Sequence, residues 1–210
     1  MAPRQGVIQK TKGKALVTPT GSALWVKVTE PDFTYDPKGK YEAQIVVDPK
    51  DPAVAKFIET LEKMRDSALE EAREGLKAPK NKSVVGRDVV APEYDREGEE
   101  TGNVVIKAKA YAVDFDGNPQ KIEVFDVRGR KEDNWTTLIG NGSQIKLQVW
   151  ASAYHMANGN IVGISLKLKK IQVIDLREFA GAGDGFGDES GEEGFGDTAD
   201  NVEAPTVTDF

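Results

Sequence analysis

The chain contains no cysteine, so it can form neither a disulfide framework nor a thiolate metal site. It has a single histidine, His155, and one imidazole without cysteine partners does not make a zinc centre. No apolar run approaches the roughly 20 residues that cross a bilayer. The N-terminal residues lack the apolar segment of a secretory signal, so the expectation is a soluble protein in a reducing cytoplasm, with no membrane contact. Catalytic and cofactor motifs are missing as well. The segment from Asp114 to Asn118 (DFDGN) opens like a calcium loop but lacks the bidentate Glu at the needed spacing. The Gly-rich FAGAGDGFGD is anionic and has no Lys-Ser/Thr ending, which excludes a phosphate loop. The chain therefore reads as a non-enzyme with no metal and no cofactor.

Positive charge is absent from one end of the chain. Residues 178–210 hold ten acidic residues and no Lys or Arg, with the near-repeat GDGFGDESGEEGFGD inside them. So little apolar mass amid like charge does not offset the entropy of ordering, and 178–210 reads as a disordered acidic tail. Its last two residues, Asp209 and Phe210, offer a ring and a carboxylate to a partner's pocket and basic patch. Without those ten, 25 of the chain's 35 acidic residues remain against 28 basic ones. A mildly basic body with an acidic tail points to nucleic-acid or membrane contact by the body, with the tail as competitor or docking arm. A tail that serves only solubility is the plain alternative.

What is present in residues 1–177 is a pattern of strands. Residues 1–14 read as a basic arm, with Arg4, Lys10, Lys12 and Lys14. Strand-like runs follow at Ala15–Thr18, Ser22–Thr29 and Lys40–Val47. Then comes one helix, with Asp51 as N-cap, Pro52 at its first position and Gly75 as its stop. Residues 77–102 are polar and broken by Pro and Gly, which predicts a surface loop. Further strands are expected at Asn103–Val113, Lys121–Val127, Ser143–Tyr154 and Ile161–Leu176, the last two joined by a hairpin turn at Ala157–Asn160. Closely spaced strands with one helix predict a mainly β fold, a small closed barrel.

Alternation sorts these strands into an apolar face and a second face of Lys and aromatics. On the second face stand Trp25 and Lys27; Lys107, Lys109 and Tyr111; Lys146, Trp150 and Tyr154; and Lys167. The phase of the last strand slips at Lys169 and Lys170, as at a β-bulge. Lys offers phosphate contacts and a flat ring offers a surface for an unstacked base, the pairing that sequence-independent single-strand binding requires. Loop candidates are Phe33, Tyr35, Lys38 and Lys40, with Arg128, Arg130 and Lys131 in VRGRK. Two other readings remain open. The aromatic face could be a protein interface in an interaction or virion structural module. The acids Asp88, Glu93, Asp95, Glu97, Glu99 and Glu100 could hold a nuclease metal, although they read better as solvated.

The stretch IGNGSQIKLQVWASAY…GNIVGISLKLKKIQVIDL (Ile139–Leu176), followed by an acidic tail ending Asp-Phe, resembles the OB-fold single-stranded DNA-binding proteins of tailed bacteriophages. GKALVTPTGSALWVKVTEPD (Gly13–Asp32), running on to KYEAQIVVD (Lys40–Asp48), is similar to the same family's opening strands. The resemblance implies an OB-type five-stranded-core barrel with extra strands, one α-helix and the tail. It implies a factor that coats single-stranded DNA in phage replication, recombination and repair, in the cytoplasm of an infected bacterial host. It implies that the tail, through Asp209 and Phe210, contacts DNA polymerase and other replisome proteins and competes with DNA for the basic groove. Homo-oligomerisation and a preference for DNA over RNA are left open by the sequence.

Overall fold

The computed structural model describes residues 12–76, 83–114, 116–156, 158 and 160–177. The greater part of the basic arm and the tail with Asp209 and Phe210 lie outside the described residues.

Ten strands and one helix follow in order: β1 (Lys14–Val17), β2 (Gly21–Asp32), β3 (Lys40–Val47), α1 (Pro52–Glu74), β4 (Val85–Gly86), β5 (Ala91–Tyr94), β6 (Glu100–Tyr111), β7 (Glu123–Phe125), β8 (Lys131–Glu132), β9 (Gln144–Met156) and β10 (Ile161–Asp175). Pairing closes a ring of five: β9 to β2, β2 to β3, β3 to β6, β6 to β10 and β10 back to β9. Only the β6–β10 pair in this ring is parallel. This is the five-stranded OB-type barrel, with β1, β4, β5, β7 and β8 as additions at its flanks.

The barrel closes because one side of each strand is apolar. Ile45, Ile106, Ile145, Leu147, Val149, Leu168 and Ile171 are all within 1 % of full burial. Each such side chain contributes about 1.5–3 kcal/mol over its exposed state. Ala108 and Ala110 continue the buried face of β6 beyond Ile106. Helix α1 starts at Asp51, whose carboxylate accepts the Ala53 N–H at 2.7 Å. It ends at Gly75, which keeps a right-handed conformation (φ −73°) while its N–H still reaches the Glu71 carbonyl. Its three-and-four spacing buries Val54, Phe57 and Leu61 against the barrel core, and Ala68 and Ala72 against Val84 and Val162.

Two segments depart from the sequence reading. Within 77–102, expected to be a loop, lie β4, β5 and the start of β6. Pro92 hides β5 from a pattern search, yet it is tolerated because β5 is hydrogen-bonded only to β6. In β2 the phase breaks: Ala23 is buried where Leu24 was expected inward, and the alternation resets so that Val28 is buried. The break is a bulge at Trp25, which adopts φ +51° and interrupts the pairing with β3 between Leu24 and Lys27.

Candidate nucleic-acid interface

Outward residues of the barrel strands come into register across the sheet. Lys27 faces Glu42, Glu42 faces Lys109, Lys109 faces Lys167, and Lys167 faces Trp150. In neighbouring rows Lys40 opposes Tyr111, and Gln44 opposes Lys107. A cleft of about 750 Å³ opens over these rows, floored by Lys40, Lys107, Lys109 and Tyr154. Its other bank is Arg87 to Pro92, a segment the sequence reading had not assigned to the site. A hollow of about 260 Å³ shares Lys40, Lys109 and Ser165 with the cleft and adds Lys38, Tyr111 and Lys167. The two form one groove across β3, β6 and β10.

Two glycines fix the aromatic side chains here. Tyr154 lies across Gly163, its partner on β10, so closely that a Cβ at Gly163 would sit 2.5 Å from the phenol oxygen. The bare backbone lets the ring lie down along the groove. Phe33 caps Gly39 in the β2–β3 loop; Gly39 adopts φ +64° and its carbonyl accepts the Ala112 N–H at 3.0 Å. That loop is thereby pinned beside Tyr111, and it carries Tyr35 with 86 % of its surface exposed.

Charge pairing separates the basic residues into two sets. Arg87, Lys38, Lys40, Lys107, Lys109 and Lys167 have no ion-pair partner among the described residues. Glu42, Asp88 and Asp114 are the acids along the groove. Asp114 is drawn below the ordinary carboxylate range by the Asn118 side chain, which donates to it at 3.0 Å. On β2 and along the β7–β8 hairpin several cations are paired instead. Lys27 is bound to Asp32 at 2.7 Å, and its hydrogen bond raises the Lys and lowers the Asp. Arg130 is bound to Asp126, and both Lys131 and Lys170 to Glu123.

Of the residues expected to bind, the structure therefore gathers Lys107, Lys109, Tyr111, Tyr154 and Lys167 in one groove. Trp150 stands just past Lys167, 43 % exposed, with the Gly13 backbone against its indole edge. Trp25 is not among the residues that line the groove; it sits at the β2 bulge, where its backbone N–H donates to the Asn141 side chain at 2.9 Å. Lys146, Arg128 and Arg130 also lie off the groove. Among the described residues no cluster of acids or His could hold a metal, and the acids of Glu93–Glu100 instead bind Thr101, Asn103, Tyr94 and backbone amides. The residues the sequence reading missed, Arg87 to Val90, had one visible signal: two Val pairs, Val84-Val85 and Val89-Val90, in an otherwise polar stretch.

The profile of the family described as "Single-stranded DNA-binding protein, Bacteriophage T7" matches residues 21–176, which contain the whole barrel. The chain belongs to this family. The T7-type single-stranded DNA-binding protein of Escherichia phage T7 is 24 % identical over 183 residues, covering 80 % of this chain and 78 % of its own. That of Enterobacteria phage T3 is 24 % identical over 201 residues, covering 88 % and 86 %. The crystal structure of the T7-encoded protein superposes with a TM-score of 0.64 at 21 % identity, over 78 % of this chain and 93 % of that one. The single-stranded DNA-binding protein of bacteriophage Enc34, in complex with single-stranded DNA, gives 0.53 at 11 % identity, over 85 % and 100 %. The T7-type family is named for binding single-stranded DNA. These solved structures share the OB-type barrel with this chain.

Proposed function

We propose that the chain binds single-stranded DNA without sequence preference through the groove over β3, β6 and β10, and coats it during phage replication and recombination in the host cytoplasm. The observation that carries this reading is the set of unpaired cations, Lys40, Lys107, Lys109 and Lys167, interleaved with Tyr111 and Tyr154 in one groove. Unpaired lysines take phosphates without first breaking an ion pair, and each ring can carry a base for roughly 1–3 kcal/mol. Titration with oligo-dT, followed by fluorescence anisotropy at several salt concentrations, tests it. Saturable binding is expected, with a log–log salt slope of about −0.7 per phosphate neutralised. Affinity indifferent to salt would defeat the assignment.

The acidic residues of 178–210 fit a second role, competing with DNA for this groove and presenting Asp209 and Phe210 to the DNA polymerase and other replisome proteins. Charge supports this reading: ten carboxylates carried by the same chain are an effective local competitor for unpaired lysines. Removing residues 178–210 should tighten DNA binding most at low salt, where screening is weakest. Equal affinity with and without the segment at low salt would mean that it does not compete.

A further inference from the structure

A third hollow, of about 270 Å³, lies on the outer wall of the barrel away from the groove, lined by Val17, Phe125, Gly129, Lys146, Gln148 and Lys170, among others. Its residues come from β1, the β7–β8 hairpin, β9 and the second half of β10. Val17 is 57 % exposed, a large apolar side chain facing solvent on an edge strand. Lys170 holds its ammonium 5.2 Å from the centre of the Phe125 ring while bonded to Glu123 at 2.9 Å. Lys146 and Arg128 have no ion-pair partner among the described residues. Arg128 stands in the hairpin next to Gly129, which forms the rim.

The wall between this hollow and the groove is a single ladder. Along β9 and β10 the outward pairs run Tyr154 with Gly163, Ser152 with Ser165, Trp150 with Lys167, Gln148 with Lys170, and Lys146 with Gln172. The bulge between Leu168 and Lys170 matters here. Under strict alternation Lys169 would follow Lys167 on the outer face, and Lys170 and Gln172 would turn inward. With the bulge, the outward face continues for the full length of β9. Ser165 and Lys167 line the groove, Gln148 and Lys170 line the hollow, and Trp150 stands between them. From Tyr154 to Lys146 is roughly 26 Å at about 3.3 Å per residue, a polar and cationic track without an acidic side chain among its pairs.

We propose that the hollow at Phe125 and Lys146 is a second DNA subsite, entered by the same strand after it leaves the main groove and crosses the β9–β10 ladder over Trp150. Lys146 and Arg128 take phosphates there, and the apolar floor of Val17 and Phe125 takes a sugar or base. The proposal rests on the main groove being the primary DNA site. It commits to a continuing strand because the hollow lies on an unbroken face with the groove, and because its free charges, Lys146 and Arg128, are opposite in sign to a phosphate.

The test compares short and long strands. The double variant Lys146→Ala, Arg128→Ala is titrated with oligo-dT of about 6 and about 20 nucleotides, lengths that bracket what one OB barrel engages. Both substitutions are at the surface, and equal thermal melting of variant and wild type establishes that the fold is intact. The expected result is unchanged affinity for the short strand, a loss of about tenfold for the long one, and a salt slope for the long one shallower by about 1.4. Loss by the same factor at both lengths, or at neither, overturns the subsite while leaving the main groove standing. If the wild-type chain binds neither length, the main groove fails and the subsite falls with it.

Discussion

The groove and the β7–β8 flank of the barrel carry similar numbers of basic side chains and use them differently. In the groove Lys40, Lys107, Lys109 and Lys167 point outward with no ion-pair partner among the described residues. On the flank Arg130 is tied to Asp126 at 2.7 Å, and Lys131 and Lys170 converge on Glu123 at 3.0 and 2.9 Å. A count of Lys and Arg along the chain rates the two regions alike. A phosphate approaching Arg130, Lys131 or Lys170 must displace a carboxylate, whereas one approaching the groove displaces only water and counterions. Pairing, more than number, marks where an anion binds.

The largest expected effect comes from emptying the groove. Lys107→Ala combined with Lys109→Ala should lower oligo-dT affinity about tenfold or more and flatten the salt slope by about 1.4, two phosphates at about 0.7 each. Arg130→Ala, where a carboxylate already takes the charge, should change affinity less than twofold. Equal losses from the two variants would show that ion pairing does not decide which cations meet DNA. An intermediate effect of opposite sign should follow from Glu123→Gln. That change releases Lys170 and leaves Lys131 only Asp133, at 3.8 Å, so affinity for long strands should rise about threefold and the salt slope should steepen. A salt titration that overlays the wild type would mean that these lysines stay out of reach of DNA even when freed.

A smaller effect should appear in acid. Glu123 is held below its ordinary range by hydrogen bonds from Lys170 and then Lys131, and Asp126 by the Arg130 backbone N–H and then its guanidinium. A carboxylate whose pKa is lower in the folded chain stabilises the fold above its unfolded value, about 4.3 for Glu and 3.9 for Asp. That contribution is lost as pH falls through the lower folded value. Melting temperature should therefore decline below about pH 4, and the decline should be shallower in Glu123→Gln, which has nothing to protonate there. Parallel melting curves for the two chains from pH 7 to pH 3 would show that the flank pairs carry no stability.

Much of this arrangement was legible in the sequence, for identifiable reasons. Strict alternation in Gln144–Met156 and Glu100–Tyr111 gave the outward set Lys107, Lys109, Tyr111, Lys146, Trp150 and Tyr154, because both strands run long and regular on the barrel wall. The doubled Lys169-Lys170 gave the bulge in β10, because a phase slip between two apolar runs has no other cheap explanation. Which lysines are free was not legible: Lys170 and Glu123 are 47 residues apart and meet only through the β7–β10 pairing. Nor was the Arg87–Pro92 bank, since its strands are short and Pro92 masks one of them.

Regular alternation fails most visibly at Trp25, which yields the smallest effect and the sharpest control. Regular alternation put its ring beside Lys27 on the binding face. The chain instead bulges there with a non-glycine residue at φ +51°, so no glycine announces the irregularity. A left-handed conformation costs an ordinary residue roughly 1–2 kcal/mol, and glycine avoids it at an unfolded-state cost of about 0.4–1 kcal/mol. With 64 % of its surface exposed, the indole has little packing to lose. Trp25→Gly should then stabilise the barrel slightly, by about 0.5–1 kcal/mol or near 2 °C in melting temperature, and leave oligo-dT affinity within twofold. A groove residue behaves the other way: Tyr154→Ala should cost roughly 1–3 kcal/mol of binding if its ring carries a base. If Trp25→Gly weakens DNA binding as much as Tyr154→Ala does, the strand reaches around the barrel to β2, and the groove described above is only part of the interface.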